Sequence, residues 1–344
     1  SANNIKEMLK QGGINMKLIT KLFIILDIII VFCFLLVYGP YDKARIFWIT
    51  TSMNTMNHKY LAHIFYSDDT IEKVMNSNYY VSLEESTNVD DITIGTIEKD
   101  NYSSIYEKQI LDREEDELYK LIEFKYKEFD CYLVAIYDPK RVHTAVASNN
   151  LNRGQILTEI AKENDAIVAI NGGGYSWADG YPEGLIVQNG NVIYARSNNG
   201  YASAAINEDG ILISRELSVK DLKEKKIKEA LSFGPALIVN GNLIKIVGTG
   251  GSGMNPRTVI AQRKDGIILF LVVNGYGQDL SFKGRGGVYL NDLLIILQRY
   301  GAYNAINMDG GSSTTLVINN KLINSPCEPL KEGQDFIRTA WILK

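Results

Sequence analysis

The sequence predicts a mixed α+β fold, a strand-rich single domain with a few covering helices, preceded by an N-terminal transmembrane helix. Three observations carry that prediction. From residue 119 onward, short apolar runs alternate with turn residues, the pattern of β strands. Leu290, Leu293, Leu294 and Leu297 recur at helical spacing, as do Ile156, Leu157, Ile160 and Ala161. Leu22 to Tyr38 reads LFIILDIIIVFCFLLVY, with Asp27 as its only charge.

With Ile19 and Thr20 ahead of it, that run approaches the ~20 residues needed to cross a bilayer. Lys6, Lys10, Lys17 and Lys21 precede it, so the positive-inside rule predicts a cytoplasmic N-terminus and an extracytoplasmic remainder. No small-residue cleavage site follows at Tyr38-Gly39-Pro40-Tyr41, which favours an uncleaved anchor over a signal peptide. Asp27 sits near the cytoplasmic end, where it can reach water; a partner in the membrane is the alternative. Met16-Lys17-Leu18 reads as a natural start, which makes residues 1–15 an upstream extension. The expected organisation is a cytoplasmic N-terminus (1–17), an anchor (18–39), a helical juxtamembrane stalk and linker (40–118) and the domain (119–344).

In the stalk, Met53, Met56, Tyr60, Leu61 and Ile64 fall on one helix face, and Asp68 or Asp69 caps a short helix from Ile71. Residues 97–119, with the charged run Asp112 to Glu117, read as a solvated linker. Phe124 and Tyr126, then Tyr132 to Tyr137, mark two strands ending at Asp138-Pro139, and Arg141 to Ala147 a third. Ala166–Ile170 runs straight into Asn171-Gly172-Gly173-Gly174-Tyr175. Gly184–Gln188 and Asn191–Ala195 flank a turn at Asn189-Gly190. Val219–Leu231 is charged and reads as helical; Phe233-Gly234-Pro235 opens a hairpin turning at Asn240-Gly241. Ile267–Val273 is almost wholly apolar, as in a strand buried on both faces.

At 344 residues with 46% apolar and 22% charged content, the chain has the composition of a globular protein. Its net charge of −4 gives a nucleic-acid partner no electrostatic support. The 20 tyrosines suit strands, and could also offer rings to sugars. Cys33 lies in the apolar segment, leaving Cys131 and Cys327 as the one pair that could form a disulfide outside the cytoplasm. His58, His63 and His143 are too scattered for a zinc site, so no metal is expected from His or Cys ligands.

Asn307-Met308-Asp309-Gly310-Gly311-Ser312-Ser313-Thr314-Thr315 is the most informative stretch. It puts a carboxylate, two glycines and four hydroxyls on a sharp turn between apolar segments. Successive N–H groups in such a turn can form an anion-binding concavity. An ordinary Asp-Gly hairpin is the plainer alternative.

Three further loops accompany it in order: Ala169 to Tyr175, Ser232-Phe233-Gly234-Pro235-Ala236-Leu237 and Asn255-Pro256-Arg257-Thr258-Val259-Ile260. Together with Asp309-Gly310-Gly311-Ser312-Ser313 they resemble the phosphodiester glycosidase family, from about Leu133 to the C-terminus. The resemblance implies removal of N-acetylglucosamine from a sugar phosphodiester. The stretch Phe47 to Ser67 is similar to membrane-anchored Gram-positive members linked with exopolysaccharide synthesis. One position departs: the family's Asp-Gly-Arg after the long apolar strand reads Asn274-Gly275-Tyr276 here. An amide cannot act as a general base, and tyrosine supplies no guanidinium.

Most glycosidases use two carboxyl groups. Asp309 is the convincing one here, with Asp279 and Glu183 as weaker seconds. A sugar-1-phosphodiester relaxes the need for an acid, because its phosphate monoester leaves as a stable anion. Arg257 is then the expected phosphate clamp, through two parallel hydrogen bonds, and Asp309 the group acting on water or on the cationic sugar. Arg257 in a salt bridge to Asp309 is the structural alternative. Asn171, Gly172 and Gly173 are expected to bind sugar hydroxyls, with Asn255, Thr258, Asn274 and Gly310, Gly311, Ser312 and Ser313 completing the substrate site. Lys283 and Arg285 could meet a polyanion. No cofactor is required, although a calcium ion on Asp309 and loop carbonyls has suitable oxygen donors. The expected activity is an extracytoplasmic, membrane-tethered hydrolase cleaving a sugar-1-phosphodiester in a cell-surface glycan. The rivals are a non-catalytic glycan-phosphate binding module in exopolysaccharide or envelope assembly, and a structural partner of an envelope-assembly protein.

Overall fold

The computed structural model describes residues 16–53, 59–95, 102–148, 150–196, 201–276, 286–327 and 333–344. Residues 1–15 with Lys6 and Lys10, the pair Met56 and His58, and Asp279, Lys283 and Arg285 lie outside them. The chain divides into two units, Ser1–Asn76 and Ser77–Lys344.

In the first unit, α1 (Met16–Tyr38), α2 (Asp42–Met53), α3 (Tyr60–Phe65) and α4 (Asp68–Asn76) follow one another. Lys17–Leu35 has a mean hydropathy of 2.7 with none of its length buried, so it is long and apolar enough to cross a membrane as an anchor or a signal sequence. The next three helices bury Ile49, Ala62, Ile71 and Val74 together. The expected apolar face is therefore corrected: Tyr60 and Ile64 are exposed, and Ala62 is the buried residue of α3. Capping also differs from expectation. Ser67 accepts the Thr70 N–H through its hydroxyl, and Asp68 and Asp69 lie inside the first turn.

The second unit opens with β1 (Tyr79–Val81) and α5 (Ile105–Leu111), then β2 (Tyr119–Tyr126), β3 (Phe129–Ile136) and β4 (Val142–Val146). Helix α6 (Leu157–Glu163) leads into β5 (Val168–Asn171) and the hairpin β6 (Leu185–Gln188) and β7 (Asn191–Ala195). Next come β8 (Tyr201–Asn207), β9 (Leu212–Leu217), α7 (Val219–Glu224) and β10 (Ile227–Ser232). Strands β11 (Ala236–Val239), β12 (Asn242–Leu243) and β13 (Lys245–Val247) precede the long pair β14 (Arg257–Arg263) and β15 (Ile268–Val273). Helix α8 (Leu290–Arg299), β16 (Ala302–Met308), β17 (Leu316–Ile318), β18 (Lys321–Leu322) and β19 (Thr339–Leu343) complete it.

The strands form a seven-stranded sheet, β12-β11-β16-β14-β15-β3-β2, and two five-stranded sheets, β18-β17-β5-β19-β4 and β7-β6-β10-β8-β9, besides the β1-β13 pair. Side chains alternate across a strand, which explains why β15 is apolar throughout. Leu269, Leu271 and Val273 face a core shared with α8, whereas Ile268, Phe270 and Val272 face a core shared with β5, β17 and β19. Both faces are buried because helix covers one side and sheet the other. Helix α6 covers the outer face of the second sheet through Leu157, Ile160 and Ala161.

Two segments depart from the sequence reading. Residues 105–111, assigned to a linker, form α5 and bury Ile110 and Leu111 against the large sheet, so the second unit begins well before residue 119. Residues 219–231, read as one helix, stop being helical at Glu224. Lys226 takes a positive φ of 51°, and Ile227–Ser232 becomes the central strand of its sheet. Cys131 is a free thiol, so the expected pairing with Cys327 is not formed, and burial pushes the Cys131 thiol up to about 12.

Glu229 ties two of the sheets together. Its buried carboxylate accepts hydrogen bonds from the Thr144 N–H (2.9 Å), the Thr144 hydroxyl (2.6 Å) and the Asn189 N–H (3.2 Å), and faces His143 Nδ1 at 3.2 Å. Truncating it removes that acceptor from the Thr144 and Asn189 N–H groups, while the Thr144 hydroxyl keeps the Val187 carbonyl at 2.9 Å. Glu229→Ala is expected to cost about 2 to 3 kcal/mol in urea unfolding, with the m-value unchanged.

Candidate active site

Five strand ends meet at one edge of the second unit. Thr258 of β14 pairs with Met308 of β16, Leu316 of β17 with Ile170 of β5, and Ala340 of β19 with Asn171. This register brings the four loops to one place. Asp309 N–H donates to the Gly172 carbonyl (3.1 Å), Gly311 N–H to the Pro256 carbonyl (3.0 Å), and Asn307 Nδ2 to the Gly234 carbonyl (2.9 Å).

Asp309 is half-buried on the resulting turn. Protein atoms crowd it enough that desolvation pushes its carboxyl up to about 6; the Asp335 and Glu183 charges add to the rise. Hydrogen bonds from the Ser313 hydroxyl and the Gly310 N–H (3.0 Å) partly offset it. A carboxyl in this range exchanges a proton near neutral pH, as general acid–base work requires.

Arg257 lies at the start of β14, 5% exposed. Its Nε donates to the Val288 carbonyl (3.2 Å), and Nη2 to the Ser252 carbonyl (3.2 Å), Ser252 hydroxyl (3.0 Å) and Gly253 carbonyl (2.7 Å). Among the described residues it has no carboxylate partner, so the alternative of a salt bridge to Asp309 is not what the structure contains. Burial pushes its pKa down to about 10. Its stem passes beneath Gly310, where an added Cβ would lie 3.8 Å from Arg257 Cδ and only 2.7 Å from the Pro256 carbonyl oxygen.

Other expected substrate ligands have different roles in this geometry. Asn171 is fully buried. Its Nδ2 donates to the Asp309 carbonyl (2.6 Å), while its Oδ1 accepts from the Thr258 hydroxyl (2.7 Å) and Thr315 N–H (3.1 Å). Asn171 and Thr258 therefore hold the turn from beneath. Gly172 and Gly173 N–H groups donate to the Thr339 carbonyl (2.9 Å) and hydroxyl (3.0 Å), so neither is open to a sugar hydroxyl. Both glycines are there for close approach: a Cβ on Gly172 would meet Leu231 at 2.5 Å. The expected N–H concavity is likewise occupied. Gly310, Gly311 and Ser313 N–H groups donate to Asp309 Oδ1, the Pro256 carbonyl and the Gly310 carbonyl. Asn255 Nδ2 donates to the Ser252 carbonyl (2.7 Å), shaping the loop that holds Arg257.

Asn274 is buried just after β15. Its Oδ1 accepts from Asn324 Nδ2 (3.1 Å) and Ser325 N–H (3.4 Å), and Asn324 in turn secures the Leu316 N–H (2.8 Å) and Thr314 carbonyl (3.0 Å). An amide and a carboxylate can both accept those two bonds. Tyr276 lies at the surface, donating to Glu128 (2.7 Å).

The sequence reading did not single out Tyr175, Asp335 or Arg338. Asp335 accepts from the Ser312 hydroxyl (2.8 Å), the Tyr175 hydroxyl (3.4 Å) and the Phe336 N–H (2.7 Å). The Arg338 guanidinium stacks 3.5 Å from the Tyr175 ring centroid and donates to the Gly180 carbonyl (2.8 Å). Burial lowers the Arg338 pKa, with Tyr175, Asp335 and Asp309 opposing the shift. The signal available was a charged pair, Asp335 and Arg338, entering the strand beside Asn171. Among the described residues no group of three or more His, Cys, Asp or Glu side chains is placed to hold a metal.

The sequence model of the phosphodiester glycosidase family matches residues 164–343, just over half the chain and all four loops. The chain is 28% identical over 184 residues, 51% of its length, to the SPbeta prophage-derived uncharacterized protein YomE of Bacillus subtilis. It is 23% identical over 224 residues to N-acetylglucosamine-1-phosphodiester alpha-N-acetylglucosaminidase of Mus musculus. These alignments span 27% and 42% of the two relatives, less than half of either. The fold is similar to the catalytic domain of zebrafish N-acetylglucosamine-1-phosphodiester alpha-N-acetylglucosaminidase, solved in a form auto-inhibited by its pro-peptide. That match has a TM-score of 0.55 at 21% identity and covers 67% of this chain and 85% of that one. With its four loops in family order, gathered around Asp309 at strand ends of two sheets, the chain belongs to the phosphodiester glycosidase family.

Proposed function

We propose that this chain is a membrane-tethered, extracytoplasmic hydrolase that cleaves the glycosidic bond of a sugar-1-phosphodiester in a cell-surface glycan. Family membership supports a glycosidase-type hydrolase. The carrying observation is Asp309, a half-buried carboxyl held up to about 6, on a turn whose Gly310 lies over the stem of a desolvated arginine that has no carboxylate partner among the described residues. A buried cation without a counter-charge is costly, and an arriving phosphodiester anion would relieve that cost. The apolar helix Lys17–Leu35 supports the tether.

In this reading Arg257 attracts the phosphate and stabilises the monoester as it departs, while Asp309 exchanges a proton at the reacting centre. The binding-module alternative drew its weight from Asn274. Its hydrogen bonds to Asn324 and Ser325 support a bracing role for the loop after the turn, one that an amide fills as well as a carboxylate.

The test is release of free sugar by the full chain, purified in detergent, from an N-acetylglucosamine-1-phosphodiester. Substrate binding without sugar release at any pH would reject the hydrolase. Arg257→Lys keeps the charge but loses the planar guanidinium that Val288, Ser252 and Gly253 hold in place. It is expected to lower kcat/KM by about 10- to 100-fold, chiefly through KM, and to weaken inhibition by inorganic phosphate. Unchanged kinetics would remove Arg257 from substrate contact.

A further inference from the structure

We propose that Asp335 is the second carboxyl of this site, the base that takes the proton of the attacking water. The inference rests on the hydrolase reading above and assigns its missing partner. Sequence order conceals the pairing, since Asp309 and Asp335 are separated by a strand hairpin. In space they flank one short turn: Ser313 hydrogen-bonds Asp309, and its neighbour Ser312 hydrogen-bonds Asp335 at 2.8 Å. Both residues are half-buried.

Their surroundings differ as acid and base roles require. Asp335 accepts three hydrogen bonds on its two oxygens, from Ser312, Tyr175 and Phe336, a donor set that suits an anion. Desolvation raises Asp309, and the Asp335 charge raises it further. A desolvated carboxyl beside a well hydrogen-bonded one is a usual basis for one acid and one base. A neutral Asp309 also avoids repelling the anionic substrate. Arg338, under the Tyr175 ring, supplies a fixed positive charge that keeps Tyr175 and Asp335 in place.

In the reaction, the water oxygen bonds to the anomeric carbon as its proton passes to Asp335. The bond from the anomeric carbon to the phosphate oxygen breaks, and its electron pair leaves with the phosphate monoester. Protonated Asp309 donates a hydrogen bond to that departing oxygen. Asp335 then returns its proton to solvent.

Chemical rescue separates this role from a structural one. Asp335→Ala and the isosteric Asp335→Asn would be assayed in the full chain on the same diester, with and without sodium azide. The expected loss is about 10³-fold in kcat with little change in KM. Azide is expected to restore activity at least tenfold to the alanine variant, with a glycosyl azide as product. A folded asparagine variant that keeps wild-type turnover, or an inactive but folded alanine variant that yields no glycosyl azide, would overturn the assignment while leaving the hydrolase reading intact. Failure of the wild-type chain to release sugar would overturn both.

Discussion

Asp309→Asn is expected to lower kcat/KM by about 10²- to 10⁴-fold, and at the same time to make the protein more stable above pH 6. The stability effect follows from linkage. The Asp309 carboxyl titrates near 6 in the fold against an ordinary 3.8, so between those values the folded state holds a proton that the unfolded state has lost. The stability this contributes is fully present below about pH 4 and is lost as pH rises through about 6. Asparagine never ionises and keeps it. Two pKa units correspond to about 3 kcal/mol at most. With Asp309 partly open to solvent, about 1 to 2 kcal/mol is the realistic gain, or a few degrees in Tm. Thermal melts at about pH 4 and pH 8 check this: the variant should match wild type at the lower pH and exceed it at the higher. The wild-type pH profile should correspondingly fall on the alkaline side near pH 6 as Asp309 loses its proton.

Asn171→Ala should be the most damaging single truncation at the site. It removes one amide that satisfies three buried groups: the Asp309 carbonyl, the Thr258 hydroxyl and the Thr315 N–H. Each buried polar group left without a partner costs about 1 to 3 kcal/mol, so a loss of about 3 to 5 kcal/mol is expected in urea unfolding. Asn171→Asp keeps the acceptor but sets a carboxylate against the Asp309 carbonyl. It should lower kcat far more than it raises KM, because the turn carrying Asp309 shifts. If Asn171 instead bound sugar, KM would rise and stability would be unchanged.

Much of the site could be read from sequence because glycine, Asp309 and the apolar segments around them are local signals. The buried β15, the helix α8 and the four loops were each written in consecutive residues. What the glycine N–H groups meet was not. Gly172, Gly173, Gly310 and Gly311 suggested open donors, yet Thr339, Asp309 and Pro256 accept those bonds, and Thr339 and Pro256 come from other loops. Asp335 and Arg338 carried no glycine pattern, and their role depends on β19 pairing beside β5. Strand β10 was hidden for a related reason. Its Lys228-Glu229 pair reads as helix surface, but Glu229 is buried because Thr144 of another sheet meets it. Tertiary contacts overrode local propensity in each case. Tyr60 and Ile64 show the reverse, an apolar pattern at helical spacing that the first unit leaves exposed.

The most direct test of glycosidic cleavage is hydrolysis of the same diester by the full chain in water enriched in ¹⁸O, with mass analysis of the phosphate product, which does not exchange its oxygens. Attack at the anomeric carbon predicts free sugar together with a phosphate monoester carrying no ¹⁸O. A labelled phosphate would mean attack at phosphorus, and would contradict the assignment of this site as a glycosidase.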